Sequence, residues 1–328
     1  MLREGPPALW LNPPGDLPWQ ELTGATPFVA FSQDHVSASA LRATGAEVGF
    51  GVLPPAAAPR QRLVLTLPRE KQRLDMLLRW AAGALAEDGE CLLAGEIRAG
   101  AKSAAKRLSE HFANSRKIDN ARHCVLFSAS APRGEPEFRW QEQLSYWSLD
   151  LLQPPLKVAS LPGVFAHGAL DEGSQLLLET LAQQTFSEHP RVLDLGCGSG
   201  VLGCWFLRRH PRADMVMADS SALALAATRA TLAAAGQNAT LVASDGLSDL
   251  QGRFDLILSN PPFHVGHLEQ KQLSQRLFAP LMDYLNPGGR CIMVANSHLN
   301  YRRWLEQSPG PVRLLAQTSR FQVLCKTR

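Results

Sequence analysis

No run of apolar residues in this chain approaches the roughly 18–20 that a membrane-crossing helix requires, and no membrane partner is predicted. The opening segment, Met1-Leu2-Arg3-Glu4-Gly5-Pro6-Pro7, lacks the apolar core of a secretion signal. None of the six cysteines forms a Cys-x-x-Cys pair, which argues against zinc and dithiol redox chemistry, and no metal is expected. Four of them, Cys91, Cys124, Cys291 and Cys325, fall in apolar strand-like runs, where a cysteine serves as a small hydrophobe. A reduced, cytoplasmic protein is the reading that follows, with no protein partner evident. Charge of either sign is nearly balanced, 33 Lys and Arg against 30 Asp and Glu, so the formal net charge is only +3. Such a balance permits a polyanionic partner without requiring one.

The basic residues that are present are distributed unevenly. Between Ile97 and His123 seven of them (Arg98, Lys102, Lys106, Arg107, Arg116, Lys117 and Arg122) stand against two acids, Glu110 and Asp119. Arg98, Lys102, Lys106 and Arg107 are candidate contacts to RNA phosphates; the alternative reading of the same run is a solvated helix face.

At 328 residues the chain has room for two domains, each with its own core. From Arg191 onward strand and helix signals alternate in the manner of a mostly parallel sheet covered on both faces. Strands are predicted at Arg191–Leu195, Asp214–Asp219, Leu241–Ala243, Phe254–Ser259, Cys291–Ala295, Val312–Ala316 and Phe321–Cys325. Helices are predicted at Val201–His210, at Ala222–Ala235 before the stop residue Gly236, and from about Gln270 to Leu285. The first half repeats the latter part of this plan, with a strand at Leu63–Leu67, a helix at Leu74–Ala86 and a strand at Cys91–Glu96. Gly89 and Cys91 match Gly289 and Cys291 at an offset of two hundred residues, and Cys124–Phe127 echoes Gln322–Cys325. The pattern reads as a duplicated domain, residues 1–150 and 151–328, whose first copy has lost its chemistry. Leu67-Pro68-Arg69-Glu70 stands where an Asn-Pro-Pro motif would fall. Gln153-Pro154-Pro155 and Leu161-Pro162-Gly163 punctuate a predicted linker, followed by a polar, glycine-rich loop from Gly163 to Gln175 of the kind that lines sites.

Asp194-Leu195-Gly196-Cys197-Gly198-Ser199-Gly200 lies where the first strand of the second half turns into a helix. Its glycines allow a tight turn and close approach of a ligand to the backbone. Gly198-x-Gly200-x-x-Gly203 also matches a dinucleotide fingerprint, but a pyrophosphate disfavours a carboxylate at this turn. Asp194 suits a cationic ligand instead, and S-adenosylmethionine carries an ammonium and a sulfonium. Asp219, ending the next strand, is placed to accept ribose hydroxyls, and Asp245, after the third, to reach the adenine amine. Candidate cofactor residues are therefore Asp194, Gly196, Gly198, Gly200, Asp219, Asp245 and Asn260.

Ser259-Asn260-Pro261-Pro262-Phe263-His264 follows the fourth strand. The prolines force the chain out of the sheet and stiffen it. An exocyclic base amine is a poor nucleophile because its lone pair is delocalised into the ring. Accepting its two hydrogens on the Asn260 side-chain oxygen and the Pro261 carbonyl would draw the nitrogen toward tetrahedral geometry, and Phe263 offers a stacking face. Asn260, Pro261 and Phe263 are the candidate catalytic residues; His264 and His267 could touch substrate or be solvated loop histidines.

With these motifs in hand, the chain resembles the bacterial small-subunit (16S) ribosomal RNA guanine-N2 methyltransferases built from tandem methyltransferase-like domains. The likeness covers essentially the whole chain. It rests on Pro162-Gly163-Val164-Phe165, Leu170-Asp171-x-Gly173-Ser174-Gln175-Leu176-Leu177-Leu178, Asp194–Gly200 and Asn260–His264. The resemblance implies two Rossmann-like class I methyltransferase domains of α/β architecture, the first degenerate, the second a seven-stranded mostly parallel sheet with helices on both faces. It implies S-adenosylmethionine as methyl donor in the second domain, folding support and RNA binding in the first, and 16S ribosomal RNA within the small subunit as substrate. Rival readings on the same fold are a large-subunit guanine-N2 enzyme, a release-factor glutamine methyltransferase and a DNA adenine-N6 methyltransferase. A catalytically inactive RNA-binding or assembly factor is a further one, against which the intact glycine loop and Asn260 both weigh.

Overall fold

The computed structural model describes residues 7–18, 28–55, 57–134, 137–166, 168–261 and 278–328. The chain divides into two compact units, Met1–Leu144 and Ser145–Arg328. The first runs β1 (Ala8–Leu11), β2 (Phe28–Ser32), α1 (His35–Ala43), β3 (Val48–Phe50), β4 (Arg60–Thr66), α2 (Lys71–Ala84), β5 (Leu85–Glu96), α3 (Ala101–His111), β6 (Phe112–Ala121) and β7 (Cys124–Pro132). The second runs β8 (Ser145–Leu149), β9 (Leu156–Ser160), α4 (Glu172–Leu181), β10 (Arg191–Leu195), α5 (Val201–Arg209), β11 (Asp214–Asp219) and α6 (Ala222–Ala235). It continues through β12 (Thr240–Ala243), β13 (Phe254–Ser259), β14 (Leu285–Asn296), α7 (Tyr301–Leu305), β15 (Val312–Gln317) and β16 (Phe321–Thr327).

Strand composition explains the layering. In β10, Val192 enters the same apolar cluster as Leu256 and Leu258, while Leu193 and Leu195 enter the opposite one with Phe254 and Ile257. Because successive side chains alternate faces, such a strand has no polar face for water and is stable only inside a sheet covered twice. Alanine-rich α6 has high helix propensity; Ser221 caps its start by accepting the Ala224 N–H, and Gly236 ends it at φ 63°. Strand order in this unit is β12-β11-β10-β13-β14-β16-β15, with only β16 antiparallel to its neighbours. The chain reverses its direction of travel across the sheet between β10 and β13, the place where open α/β sheets bind ligands at the carboxyl ends of their strands.

Both units share one strand order, since the first reads β3-β2-β1-β4-β5-β7-β6. They also share a register slip: Arg60 faces Leu85 and then Arg62 faces Glu90, just as Phe254 faces Leu285 and then Leu256 faces Arg290. Leu63 pairs with Cys91 as Ile257 pairs with Cys291, so the copies can be aligned residue by residue. Trp10 then stands where Asp194 stands, Asn12 where Gly196 does, and Thr66 where Asn260 does. The counterpart of the Asn260 motif therefore begins at Thr66, one residue before the position read from the sequence. In the first unit Trp10 Nε1 donates to Thr66 Oγ1 at 3.0 Å, and the Asn12 amide is bound to Gln33, which accepts in turn from Arg73 Nε at 2.9 Å. The degenerate copy uses these positions to hold itself together.

Three expectations change. The segment read as a linker is the β8–β9 hairpin of the second unit, with Leu149, Leu156, Val158 and Leu161 buried. Its alternation of apolar residues outweighs its prolines, which sit at the turn. The first half of the helix expected from about Gln270 to Leu285 lies outside the described residues, and its second half is no α-helix: Leu281–Tyr284 is a 3-10 turn leading directly into β14. Cys124, read as a small core hydrophobe, is exposed, while the other five cysteines are buried; it opens β7 beside a hairpin tip.

Thr231 ties the hairpin to the rest of the second unit: it is fully buried, accepts the Ala159 N–H at 2.9 Å, and its hydroxyl lies 2.7 Å from the Ser199 carbonyl. Thr231→Val, which keeps the shape and removes the hydroxyl, should lower unfolding stability by about 1–3 kcal/mol in a denaturant titration. An unchanged midpoint would show that these bonds are not holding the hairpin.

Candidate active site

β10 and β13 run side by side, and Ser259 Oγ donates to the Leu195 carbonyl at 2.8 Å, tying their carboxyl ends together. The loop leaving β10 turns on Gly196, Gly198 and Gly200 at φ 73°, 57° and 80°, a left-handed run that side chains would strain. Gly196 and Cys197 both donate to the Ala218 carbonyl, at 2.8 and 3.0 Å. A Cβ built on Gly196 or Gly198 would meet nothing within 4 Å, so open space lies beside the loop. Asp219 holds the loop's far side, accepting the Gly198 N–H at 3.0 Å on Oδ2 and the Ser221 N–H at 2.9 Å on Oδ1. Both carboxylate oxygens are thus aimed by backbone N–H groups at the rim of the glycine loop. Asp245 follows β12, partly exposed, in a turn braced by Ser248 and Asp249.

Asp194 is fully buried. Its Oδ2 accepts the Gly203 N–H from the first turn of α5 at 2.9 Å, and its Oδ1 is buried with no partner. A Cβ on Gly203 would fall 2.4 Å from Met217 Cε and 3.0 Å from Asp194 Oδ2. The third glycine of the formal dinucleotide fingerprint thus serves close helix–strand packing. Burial raises the Asp194 carboxyl from 3.8 to about 7, the Gly203 N–H opposing this and the charge of Asp219 adding to it. Burial also pushes the Cys197 thiol well up, helped by Asp219 and Asp194, so this loop cysteine is no thiolate nucleophile.

The Asn260 amide faces the start of α4. Its Nδ2 donates to both oxygens of Asp171, at 3.2 and 3.3 Å, and to Ser174 Oγ at 2.8 Å, while its Oδ1 is buried with no partner. Pro261 beside it is buried; Phe263, His264 and His267 lie outside the described residues. Asp171 and Ser174 are thus the contacts of the Asn260 amide, which the sequence reading placed in a site-lining loop without naming them as site residues. Their signal was an aspartate in the N-cap position of an apolar helix, with a serine three residues on.

These groups fit the expected cofactor. An unpartnered buried carboxylate oxygen suits a cation, and the open space beside Gly196 and Gly198 admits a ligand against the backbone. An Asn oxygen with no donor suits an amine.

The basic stretch of the first unit separates into two kinds of residue. Arg107 forms an ion pair with Asp75 on α2, and this bond raises its pKa further, so it ties α3 to α2. Asp75, Glu110 and His111 converge closely enough to suggest a metal cluster, but Arg107 already neutralises Asp75. Arg98, Lys106, Arg116, Lys117 and Arg122 are exposed and, among the described residues, carry no ion pair. The Lys102 side chain lies outside the described residues. Ile97 donates to the His123 carbonyl at 2.8 Å, which sets the turn bearing Arg98 against the β6–β7 hairpin tip. Arg122 and His123 form that tip at φ 48° and 64°, an unusual conformation for residues with side chains.

Comparison with known proteins gives these sites a context. Residues 155–325 match the family model described as "Methyltransferase small domain", and residues 4–146 match "Methyltransferase small domain N-terminal". A "Ribosomal RNA small subunit methyltransferase C" of Hahella chejuensis is 37% identical over 324 residues, 96% of this chain and 92% of the relative. Another, of Pseudomonas entomophila, is 41% identical over 266 residues, 81% of this chain and 78% of the relative. Among solved structures, a T. thermophilus 16S rRNA N2 guanine-1207 methyltransferase in complex with AdoMet and guanosine matches with TM-score 0.84 at 26% identity, over 99% of this chain and 88% of that one.

The raised carboxyl of Asp194 has a consequence for pH. The folded chain keeps this proton to about pH 7 while the unfolded chain loses it near 3.8, so stability from this group is fully present below pH 3.8 and falls as pH rises through 7. Asp194→Asn keeps the bond to Gly203 without the buried charge. It should stabilise the ligand-free protein by about 1–4 kcal/mol at pH 8, with the gain vanishing toward pH 4. Denaturant titrations at several pH values measure this; a variant less stable than its parent at pH 8 would refute it.

Proposed function

The chain belongs to the methyltransferase small domain family, within the ribosomal RNA small subunit methyltransferases C, and on that premise we propose how its residues perform the reaction. It transfers a methyl group from S-adenosylmethionine to the exocyclic N2 of a guanine in 16S ribosomal RNA. The observation that carries the site assignment is the Asn260 amide. Both of its hydrogens are taken by Asp171 and Ser174, and its oxygen is buried without a donor at the carboxyl end of β13.

S-adenosylmethionine, when bound, would supply an electrophilic methyl on a positively charged sulfur, with the neutral thioether as leaving group. Asp194 holds it through the field of a buried carboxylate, Gly196, Gly198 and Gly200 through backbone approach, Asp219 at the ribose and Asp245 at the adenine. Asn260 Oδ1 and the Pro261 carbonyl accept the hydrogens of guanine N2, localising its lone pair along the line of attack. With the cofactor bound, that lone pair would form the new N–C bond while the C–S pair leaves with sulfur, and the alkylated amine would release one proton to water. Alignment of this kind is worth on the order of 7–11 kcal/mol, and no strong general base is needed because the nitrogen becomes acidic once alkylated. Phe263 supplies the stacking face for the flipped-out base.

The second unit is the catalytic domain, and the first supports its folding and binds RNA through Arg98, Lys102, Lys106 and the Arg122 hairpin, with Arg107 as a brace. The acceptor is the guanine corresponding to that of the solved relative, presented in the small ribosomal subunit, and the protein works in the cytoplasm. No helix among the described residues is long and apolar enough to cross a membrane.

Asn260→Ala should reduce transfer at least about 10³-fold while cofactor affinity stays within about threefold. Loss of cofactor affinity instead would give the loop a different role. Arg98→Glu with Arg122→Glu should weaken RNA binding and flatten its salt dependence by roughly one unit of slope per lost phosphate contact. An unchanged slope would return the stretch to a solvated face. Nucleoside mass spectrometry of 16S RNA from cells lacking the protein should show less N2-methylguanosine, and equal amounts would overturn the substrate.

A further inference from the structure

Asn260 can serve an amine only if its oxygen, and not its nitrogen, faces the acceptor. Half a turn about its last bond would present N–H donors to a group that itself donates, and nothing in the residue prevents that turn. Its neighbours do. Asp171 is an acceptor on both oxygens when ionised, so the turned amide would set oxygen against oxygen. With Nδ2 toward Asp171 and Ser174, at 3.2, 3.3 and 2.8 Å, both amide hydrogens are satisfied and Oδ1 is left as the open acceptor. The neighbours are themselves fixed. Asp171 is the N-cap of α4, where its Oδ1 accepts the Gly173 and Ser174 N–H groups at 3.0 and 3.1 Å, and Ser174 is buried.

We propose that Asp171 and Ser174 are positioning residues for the methyl transfer, acting through the Asn260 amide. The start of α4 is a template that fixes the amide's orientation before substrate arrives, so the acceptor oxygen need not be selected from two rotamers at each turnover. The proposal rests on the role of Asn260 given above and extends it to a segment ninety residues earlier in the chain.

The variants that separate this role from helix capping are Asp171→Ser, Asp171→Asn and Ser174→Ala in the full chain. Serine still caps α4 but is too short to hold Asn260; asparagine keeps both the cap and an acceptor oxygen. Transfer to small subunits lacking the modification gives kcat and the RNA KM, calorimetry gives cofactor Kd, and thermal melting reports folding. Asp171→Ser and Ser174→Ala should each lower kcat by about 10–100-fold with KM and Kd within about threefold, and Asp171→Asn should keep kcat within about fivefold. If both damaging variants keep kcat within about twofold while Asn260→Ala is inactive, the proposal fails and the Asn260 role stands. An active Asn260→Ala removes both. Losses confined to Kd or Tm, or a loss that Asp171→Asn does not relieve, would assign Asp171 and Ser174 to folding alone and overturn the proposal.

Discussion

One hydrogen bond beneath the first turn of α5 sets the geometry of the catalytic unit: the Gly203 N–H to Asp194 Oδ2, at 2.9 Å. It draws the helix onto the end of the central strand, which only a residue without a Cβ allows, since Met217 Cε and the carboxylate itself stand where that atom would be. The glycine loop between strand and helix is shaped by this closeness. The same bond satisfies one oxygen of a wholly buried carboxylate and leaves the other without a partner. A desolvated, half-satisfied acid destabilises the ligand-free protein and favours a cation. Stability and binding therefore oppose one another at Asp194, as they commonly do at functional sites.

The same arrangement recurs at the neighbouring strand. Asn260, at the end of β13, has its nitrogen satisfied and its oxygen buried without a donor. Two unpartnered oxygens thus stand at adjacent strand ends, one suited to a cation and the other to an amine. The first unit supplies the contrast. At the positions of Asp194 and Asn260 it carries Trp10 and Thr66, and these bond to each other. Where the catalytic copy leaves two acceptors waiting, its duplicate pairs donor with acceptor.

Much of the fold was legible in the chain because the physics that fixes a strand or helix is local. Apolar runs bounded by Gly and Asp marked β10, β11 and β13 nearly to the residue, and Ser221 with Gly236 delimited α6. The repeated Gly89-x-Cys91 and Gly289-x-Cys291 pointed to a duplication whose common strand order the structure displays. The β8–β9 hairpin was misread because its Pro154-Pro155 turn resembles a linker, while its partners on α6 lie some seventy residues away. Arg107 could not be told from its basic neighbours, because its partner Asp75 belongs to another helix.

By itself the sequence determined the architecture, the glycine loop, the acids at successive strand ends and the Asn-Pro-Pro motif, all of which depend on residue type and short-range spacing. Only the tertiary structure decided how those residues face. It buried Asp194 beneath Gly203 and orphaned one of its oxygens, and it brought Asp171 and Ser174 to the Asn260 amide across nearly ninety residues. Orientation and desolvation arise from groups that meet only when the sheet closes, and no local pattern encodes them.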